Sequence, residues 1–123
     1  MRACALLCLL LLSGQTLAEG PRMILQRAPL AGFSHHAASQ VWTQLRAGDP
    51  LMLTHEQSNP YDALAVRVDW QGQTLGYLPR TDNGAVARAL AAGTPLLARI
   101  SRLTEHPDPR RRIEVEVSAP LKP

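Results

Sequence analysis

Leu64-Ala65-Val66-Arg67-Val68-Asp69-Trp70 is the stretch that decides the fold of this 123-residue chain. Leu64, Val66, Val68 and Trp70 fall on one side of a period-2 pattern and Ala65, Arg67 and Asp69 on the other. That alternation marks an antiparallel strand with one buried and one wetted face. Gln71-Gly72 follows directly and suits a tight hairpin, leading into a second strand from Thr74 to Leu78 that Pro79 ends. Upstream, Leu51 to Gln57 alternates again, with Leu51, Leu53 and His55 set against Met52, Thr54 and Glu56. Between this strand and the deciding one lies Asn59-Pro60-Tyr61-Asp62. A plain hairpin needs only Asn-Gly or Asp-Gly, whereas here Pro fixes φ and a ring and a carboxylate are added side by side. Two readings of the turn stand together. It is a binding tip, or Asn59 and Asp62 bond only the local backbone while Tyr61 packs on the rim.

Outward from these strands the pattern remains one of short elements. A strand is expected near Leu30 to Phe33, with Gly32 at a bulge or close approach. Ser39 to Arg46 reads as a short helix, because Val41, Trp42 and Leu45 share a face and Gly48 stops it. Asp82 or Asn83 is expected to cap a second helix running to Ala92, with Val86, Ala87 and Leu90 as its apolar stripe and Gly93 as its stop. A strand from Leu96 to Thr104, a Pro-rich turn at His106 to Pro109 and a last strand from Ile113 to Val117 complete the chain. The expected class is α+β: a small, OB-like, mainly antiparallel six-stranded barrel with two short helices.

The N-terminus reads as a secretory leader. Met1-Arg2 precedes an apolar run from Ala3 to Leu12 and then Ser13-Gly14-Gln15-Thr16-Leu17-Ala18, with cleavage expected after Ala18. Ten apolar residues on a helix reach about 15 Å, roughly half the hydrocarbon thickness of a bilayer, so no membrane span is expected. The expected organisation is therefore a leader at 1–18 and a single domain at 19–123, with its core at about 30–118, in a periplasmic or secreted protein. Translation from Met23 would instead leave it in the cytoplasm. Cys4 and Cys8, the only two cysteines, both fall in the leader, which leaves the mature chain without disulfides or thiolate metal sites. Without Arg2 the 13 Lys and Arg become 12 against 10 Asp and Glu. A net charge near +2 is too small to argue for nucleic acid by itself.

Most constellations with chemical potential fail on spacing. His35-His36 would point to opposite faces of a strand, and with His55 and Asp62 they form no recognised ligand spacing, so no metal is expected. Ser34 and Ser39 lack a nucleophile elbow or oxyanion glycines. No phosphate-cradling loop with Gly-Lys-Ser is present, which excludes ATP-driven chemistry. The run Arg110-Arg111-Arg112 is either a solvated turn or a phosphate contact. No cofactor and no catalysis are expected.

Five segments in order carry a family resemblance: Gly32-Phe33-Ser34-His35-His36, Gly48-Asp49-Pro50-Leu51-Met52-Leu53, Asn59-Pro60-Tyr61-Asp62, Ala65-Val66-Arg67-Val68 and Leu75-Gly76-Tyr77-Leu78-Pro79-Arg80. Together, over about Gly32 to Leu103, they resemble a HIRAN domain. The resemblance implies an OB-like barrel, found in certain DNA translocases and as stand-alone bacterial proteins, that binds single-stranded DNA by a free 3′ end. It implies that Tyr61 stacks on the terminal base, that Asp62 accepts a hydrogen bond from the 3′-hydroxyl and that Asn59 holds the turn. Arg80 would face backbone phosphate, and Tyr77, His35 and His36 would line the groove. Where DNA-end-binding members have an arginine followed by aromatic residues, this chain has Ser34, His35 and His36. The resemblance then implies weaker binding, or binding that rises when imidazole is protonated and stands in for the arginine. The alternatives are an exported barrel reused for a periplasmic protein or ligand, or an uncharacterised enzyme.

Overall fold

The computed structural model describes residues 20–121, so the expected leader at 1–18 lies outside the described residues. Six strands form one antiparallel sheet: β1 (Arg22–Pro29), β2 (Pro50–His55), β3 (Val66–Trp70), β4 (Gln73–Tyr77), β5 (Leu97–Leu103) and β6 (Ile113–Pro120). Two short helices, α1 (Ala38–Val41) and α2 (Gly84–Ala91), and several 3₁₀ turns complete it. The α+β class and the OB-like architecture are as expected. The order across the sheet is β1-β6-β5-β2-β3-β4.

The sheet curls because β2 is shared between its two halves. Pro50 and Leu51 pair with Arg99 and Ala98 of β5, while Met52 to His55 pair with Asp69 to Val66 of β3. Register shifts in β1/β6, β3/β4 and β5/β6 add local twist, the means by which flat sheets become barrels. The ends of the sheet then meet at one residue pair. Ala31 N–H donates to the Tyr77 carbonyl at 2.8 Å, and Tyr77 N–H returns to the Ala31 carbonyl at 2.9 Å. A side chain at Gly76 would collide with that same Ala31 carbonyl, so glycine there permits the closure. The barrel closes at this single bridge and stays open along the rest of β1.

The deciding stretch alternates as expected from Val66 onward, but Leu64 is exposed and Ala65 buried, because both still belong to the tip and the strand begins at Val66. Val66, Val68 and Trp70 are buried, with Leu75, Ile100, Val115 and Val117 completing the barrel interior, each such burial contributing about 1.5–3 kcal/mol. Trp70 Nε1 donates to Asp49 Oδ2 at 3.0 Å, so the one polar atom of the buried indole is satisfied. Gln71 and Gly72 both adopt positive φ, 47° and 79°, which is the two-residue turn that matches strand twist.

Three further expectations need correction. Leu30 to Phe33 is not a strand: β1 lies earlier, at Arg22–Pro29, and Phe33–His35 is a 3₁₀ turn entered through Gly32 at φ 83°. Its exposed Met23-Ile24-Leu25 hid the strand, because an open edge with Leu25 at a bulge does not alternate. His35 and His36 consequently occupy a turn and its end rather than a strand. Asn83 stands at the N-cap of α2 but makes no capping bond with its side chain. The last strand also continues past Val117 to Pro120. Among the described residues no helix is long and apolar enough to cross a membrane.

Candidate nucleic-acid interface

Residues 56–65 connect β2 to β3 as a tip held from inside by polar atoms. Glu56 N–H donates to the Ala65 carbonyl at 2.9 Å at its base. Asn59 Oδ1 accepts from the backbone of Tyr61 at 2.8 Å and of Asp62 at 3.2 Å, the Asx geometry that asparagine supplies in turns. His55 Nε2 donates to the Ala63 carbonyl at 2.8 Å, since a carbonyl can only accept. The structural reading of Asn59 and Asp62 is thus correct as far as it goes, but Tyr61 does not pack down. Its side chain stands 84% exposed.

Asp62, next in the chain, sits in a cradle of donors. Its Oδ1 accepts from Leu64 N–H at 2.9 Å, and its Oδ2 accepts from Asn83 Nδ2 at 2.8 Å, with Arg80 Nε at 3.8 Å. The Leu64 backbone bond, then the Asn83 amide, hold the carboxyl below its ordinary value against the opposing effect of burial, with smaller help from Arg80 and His55. Asp62 is therefore ionised at neutral pH, and two oxygens carrying about four lone-pair sites leave room for a further donor. Asn83, only 2% exposed, gives its Nδ2 hydrogen to Asp62, and its side chain makes no bond to the start of α2.

Arg80 forms one wall. Its NH2 donates to the Tyr61 carbonyl at 2.8 Å, and the side chain, 75% exposed, keeps other guanidinium protons free toward solvent. Tyr77 and His36 form the other, with ring centroids 5.5 Å apart and tilted by 56°. Gly32 makes this possible, since the His36 ring packs where its side chain would be, with Cδ2 3.2 Å from the position of a Cβ.

These side chains enclose one cavity of about 390 Å³. Asn59, Tyr61, Asp62, Tyr77, Arg80 and His36 all line it, together with Pro60, Ala65, Leu78 and Asn83. Residues 41 positions apart in the chain, from His36 to Tyr77, thus meet at one place. His35 does not line it and points outward from the 3₁₀ turn, exposed. Among the described residues no three His, Cys, Asp or Glu side chains cluster as a metal site.

The structure adds two residues that pattern could not reveal. Glu56 accepts from Asn59 Nδ2 at 3.1 Å, Tyr77 Oη at 3.0 Å and Arg67 NH1 at 3.0 Å. By alternation it was merely a polar residue at the end of a strand. Asn83 was visible only as a cap.

The arginine run divides by role. Arg112 lies over the Phe33 ring at 5.0 Å and donates to the His106 carbonyl at 2.7 Å, fastening the Pro-rich turn. Arg110 pairs with Asp108 at 3.0 Å, and Arg111 is exposed. Two of the three are therefore engaged in holding their own turn, not presented as free phosphate contacts.

Comparison with known proteins gives one family and two similar solved structures. The model of the HIRAN domain matches residues 23–122. A crystal structure of a protein from Lactobacillus plantarum is similar with a TM-score of 0.68 at 25% identity, over 80% of this chain and 94% of that one. The HIRAN domain of human HLTF is similar with a TM-score of 0.61 at 15% identity, over 81% of this chain and 79% of that one. No curated protein matches in sequence.

Proposed function

This chain belongs to the HIRAN domain family, and from that premise we propose that it is a nucleic-acid-binding module that takes the free 3′-hydroxyl end of single-stranded DNA, without turnover. The observation that carries the reading is the meeting of an exposed ring, an ionised carboxylate with spare lone pairs and a guanidinium around one cavity. Tyr61 offers a face to the terminal base, and such stacking contributes about 1–3 kcal/mol per base without regard to sequence. Asp62 accepts from the hydroxyl, while a 3′-phosphate would bring negative charge against it. Arg80 meets the backbone phosphate behind the terminal sugar. His36, tilted against Tyr77, closes the groove where other members carry an arginine-led segment.

The test titrates labelled single strands ending in 3′-hydroxyl or 3′-phosphate against wild type and Asp62→Ala. The hydroxyl strand should bind wild type best, and the preference should vanish in the variant. Equal weak binding in all four combinations refutes end recognition.

A second reading draws on a different face, and we infer that an envelope protein partner would dock there. Ile24 and Leu97, both exposed, line a groove of about 450 Å³ together with Arg22 and Arg99. Cross-linking in the periplasm should recover one dominant partner whose capture survives nuclease and is lost in Ile24→Asp. Export itself is a proposal resting on the leader sequence. Intact mass from fractionated cells tests it, since an uncleaved Met1 in the cytosol contradicts cleavage after Ala18.

A further inference from the structure

Glu56 touches both halves of the cavity wall without lining it. One carboxylate oxygen, Oε1, takes Asn59 Nδ2 from the tip and Tyr77 Oη from β4, a tie between tip and strand additional to the bond from Arg80, just past the strand, to the Tyr61 carbonyl. The other, Oε2, takes Arg67 NH1, and Arg67 is itself held by Asp69, with NH2 3.1 Å from Oδ2. Thr74 Oγ1 donates to Asp69 Oδ1 at 2.9 Å, so the chain of contacts is anchored at both ends in the β3–β4 hairpin. Burial pushes the Glu56 carboxyl up, but the bonds from Asn59, Tyr77 and Arg67 together bring it below its ordinary value. It is ionised at neutral pH and can only accept.

The consequence concerns Tyr77. Its single hydroxyl proton is committed to Glu56, so its oxygen can offer only lone pairs to a ligand. Asp62 likewise offers only lone pairs. Of the polar side chains that line the cavity, Asp62 and Tyr77 thus offer acceptors and Arg80 offers donors, so a terminal hydroxyl can give its proton to the first pair while a backbone phosphate takes those of Arg80. A 3′-phosphate at neutral pH is mostly dianionic and brings charge of about −1.5 to −2 against these acceptors, whereas a hydroxyl is neutral and has a proton to give.

We propose that Glu56 is a positioning residue that sets the polarity of this cavity: its carboxylate ties the Asn59 turn to β4 and turns the Tyr77 hydroxyl into an acceptor, so that hydroxyl-ended strands are selected over phosphate-ended ones. The selection rests on the end-binding reading above, whereas the positioning does not. Glu56→Gln separates the two. A glutamine keeps the shape but removes the charge, so the phenol proton is held by a neutral amide oxygen instead of a carboxylate and is released more readily to a phosphate.

Two measurements decide it. In a Tyr61→Phe background Tyr77 is the only tyrosine, and its phenolate can be followed by ultraviolet absorbance. Burial and the Glu56 bond hold this phenol above its ordinary value, and Glu56→Gln should lower its titration midpoint. In otherwise wild-type protein, Glu56→Gln should reduce the hydroxyl-over-phosphate affinity ratio about tenfold, the size expected for removing one nearby charge. An unchanged phenol midpoint overturns the positioning role, and an unchanged ratio overturns the selection. If wild type binds neither strand, end recognition and the selection fall together, while the phenol titration still decides the positioning.

Discussion

Among the described glycines, a Cβ meets backbone most closely at Gly76, so Gly76→Ala should be strongly destabilising. Gly76 is buried in β4, and a Cβ there would press into the Ala31 carbonyl oxygen and approach Leu30 Cγ to 3.1 Å. The carbonyl is backbone and cannot rotate away, so Ala31 must retreat. Its two hydrogen bonds with Tyr77, at 2.8 and 2.9 Å, are the bridge that joins the ends of the sheet. Losing both costs about 1 kcal/mol each, and overpacking a tight core adds about 1–3 kcal/mol, for a total of about 3–5 kcal/mol. For a domain of this size that lowers Tm by roughly 12–25 °C. Binding should fail as well, because Ala31 leads into the Gly32 turn that places His36, and Tyr77 follows Gly76 directly. Chemical denaturation of the variant beside Gly20→Ala, where nothing lies within 4 Å, provides the assay. A loss under about 1 kcal/mol would show that the barrel ends are not held by this contact, and the account of Gly76 would fall.

Three further outcomes follow from single contacts. Asn83→Ala removes a buried amide and should cost about 1–2 kcal/mol in denaturant, while also weakening the preference for a 3′-hydroxyl because Asp62 Oδ2 loses its nearest donor. Asp108→Asn should destabilise at neutral pH. The bonds from Arg110 hold this carboxyl at about 2, so its contribution is fully present above 3.8 and is lost as pH falls through about 2; stability curves of wild type and variant should converge across that window. Arg112→Ala should cost about 1–2 kcal/mol through the lost Phe33 contact and His106 bond, whereas Arg111→Ala should stay within about 0.5 kcal/mol; equal effects in thermal melts would contradict their separate roles.

Legibility in the sequence followed burial. β3 was readable to within two residues because its alternating side chains meet two different solvents, a core on one side and water on the other. β1 was misplaced because it is an edge with three consecutive exposed apolar residues, and an edge imposes no period. At the site, Tyr61 and Asp62 stood out as residue types that a turn does not need. Glu56 and Asn83 did not, since a polar residue at a strand end and an asparagine before a helix each have an ordinary local use. What each actually does depends on a partner 21 positions away, Tyr77 for Glu56 and Asp62 for Asn83.

Strands β2 to β6 and the tight Gln71-Gly72 hairpin were determined by the sequence alone, because φ preferences and hydrophobic period act between neighbours along the chain, and the HIRAN family was legible separately, in its ordered motif segments. Tertiary structure alone decided that Ala31 would close on Tyr77, that His36 would come to rest against the same ring, and that one glutamate would join the tip to the opposite wall. Those contacts exist only once β2 has passed from β5 to β3 and the sheet has curled. The polarity of the cavity is therefore a property of the closed barrel, carried by residues whose local sequence gives no sign of it.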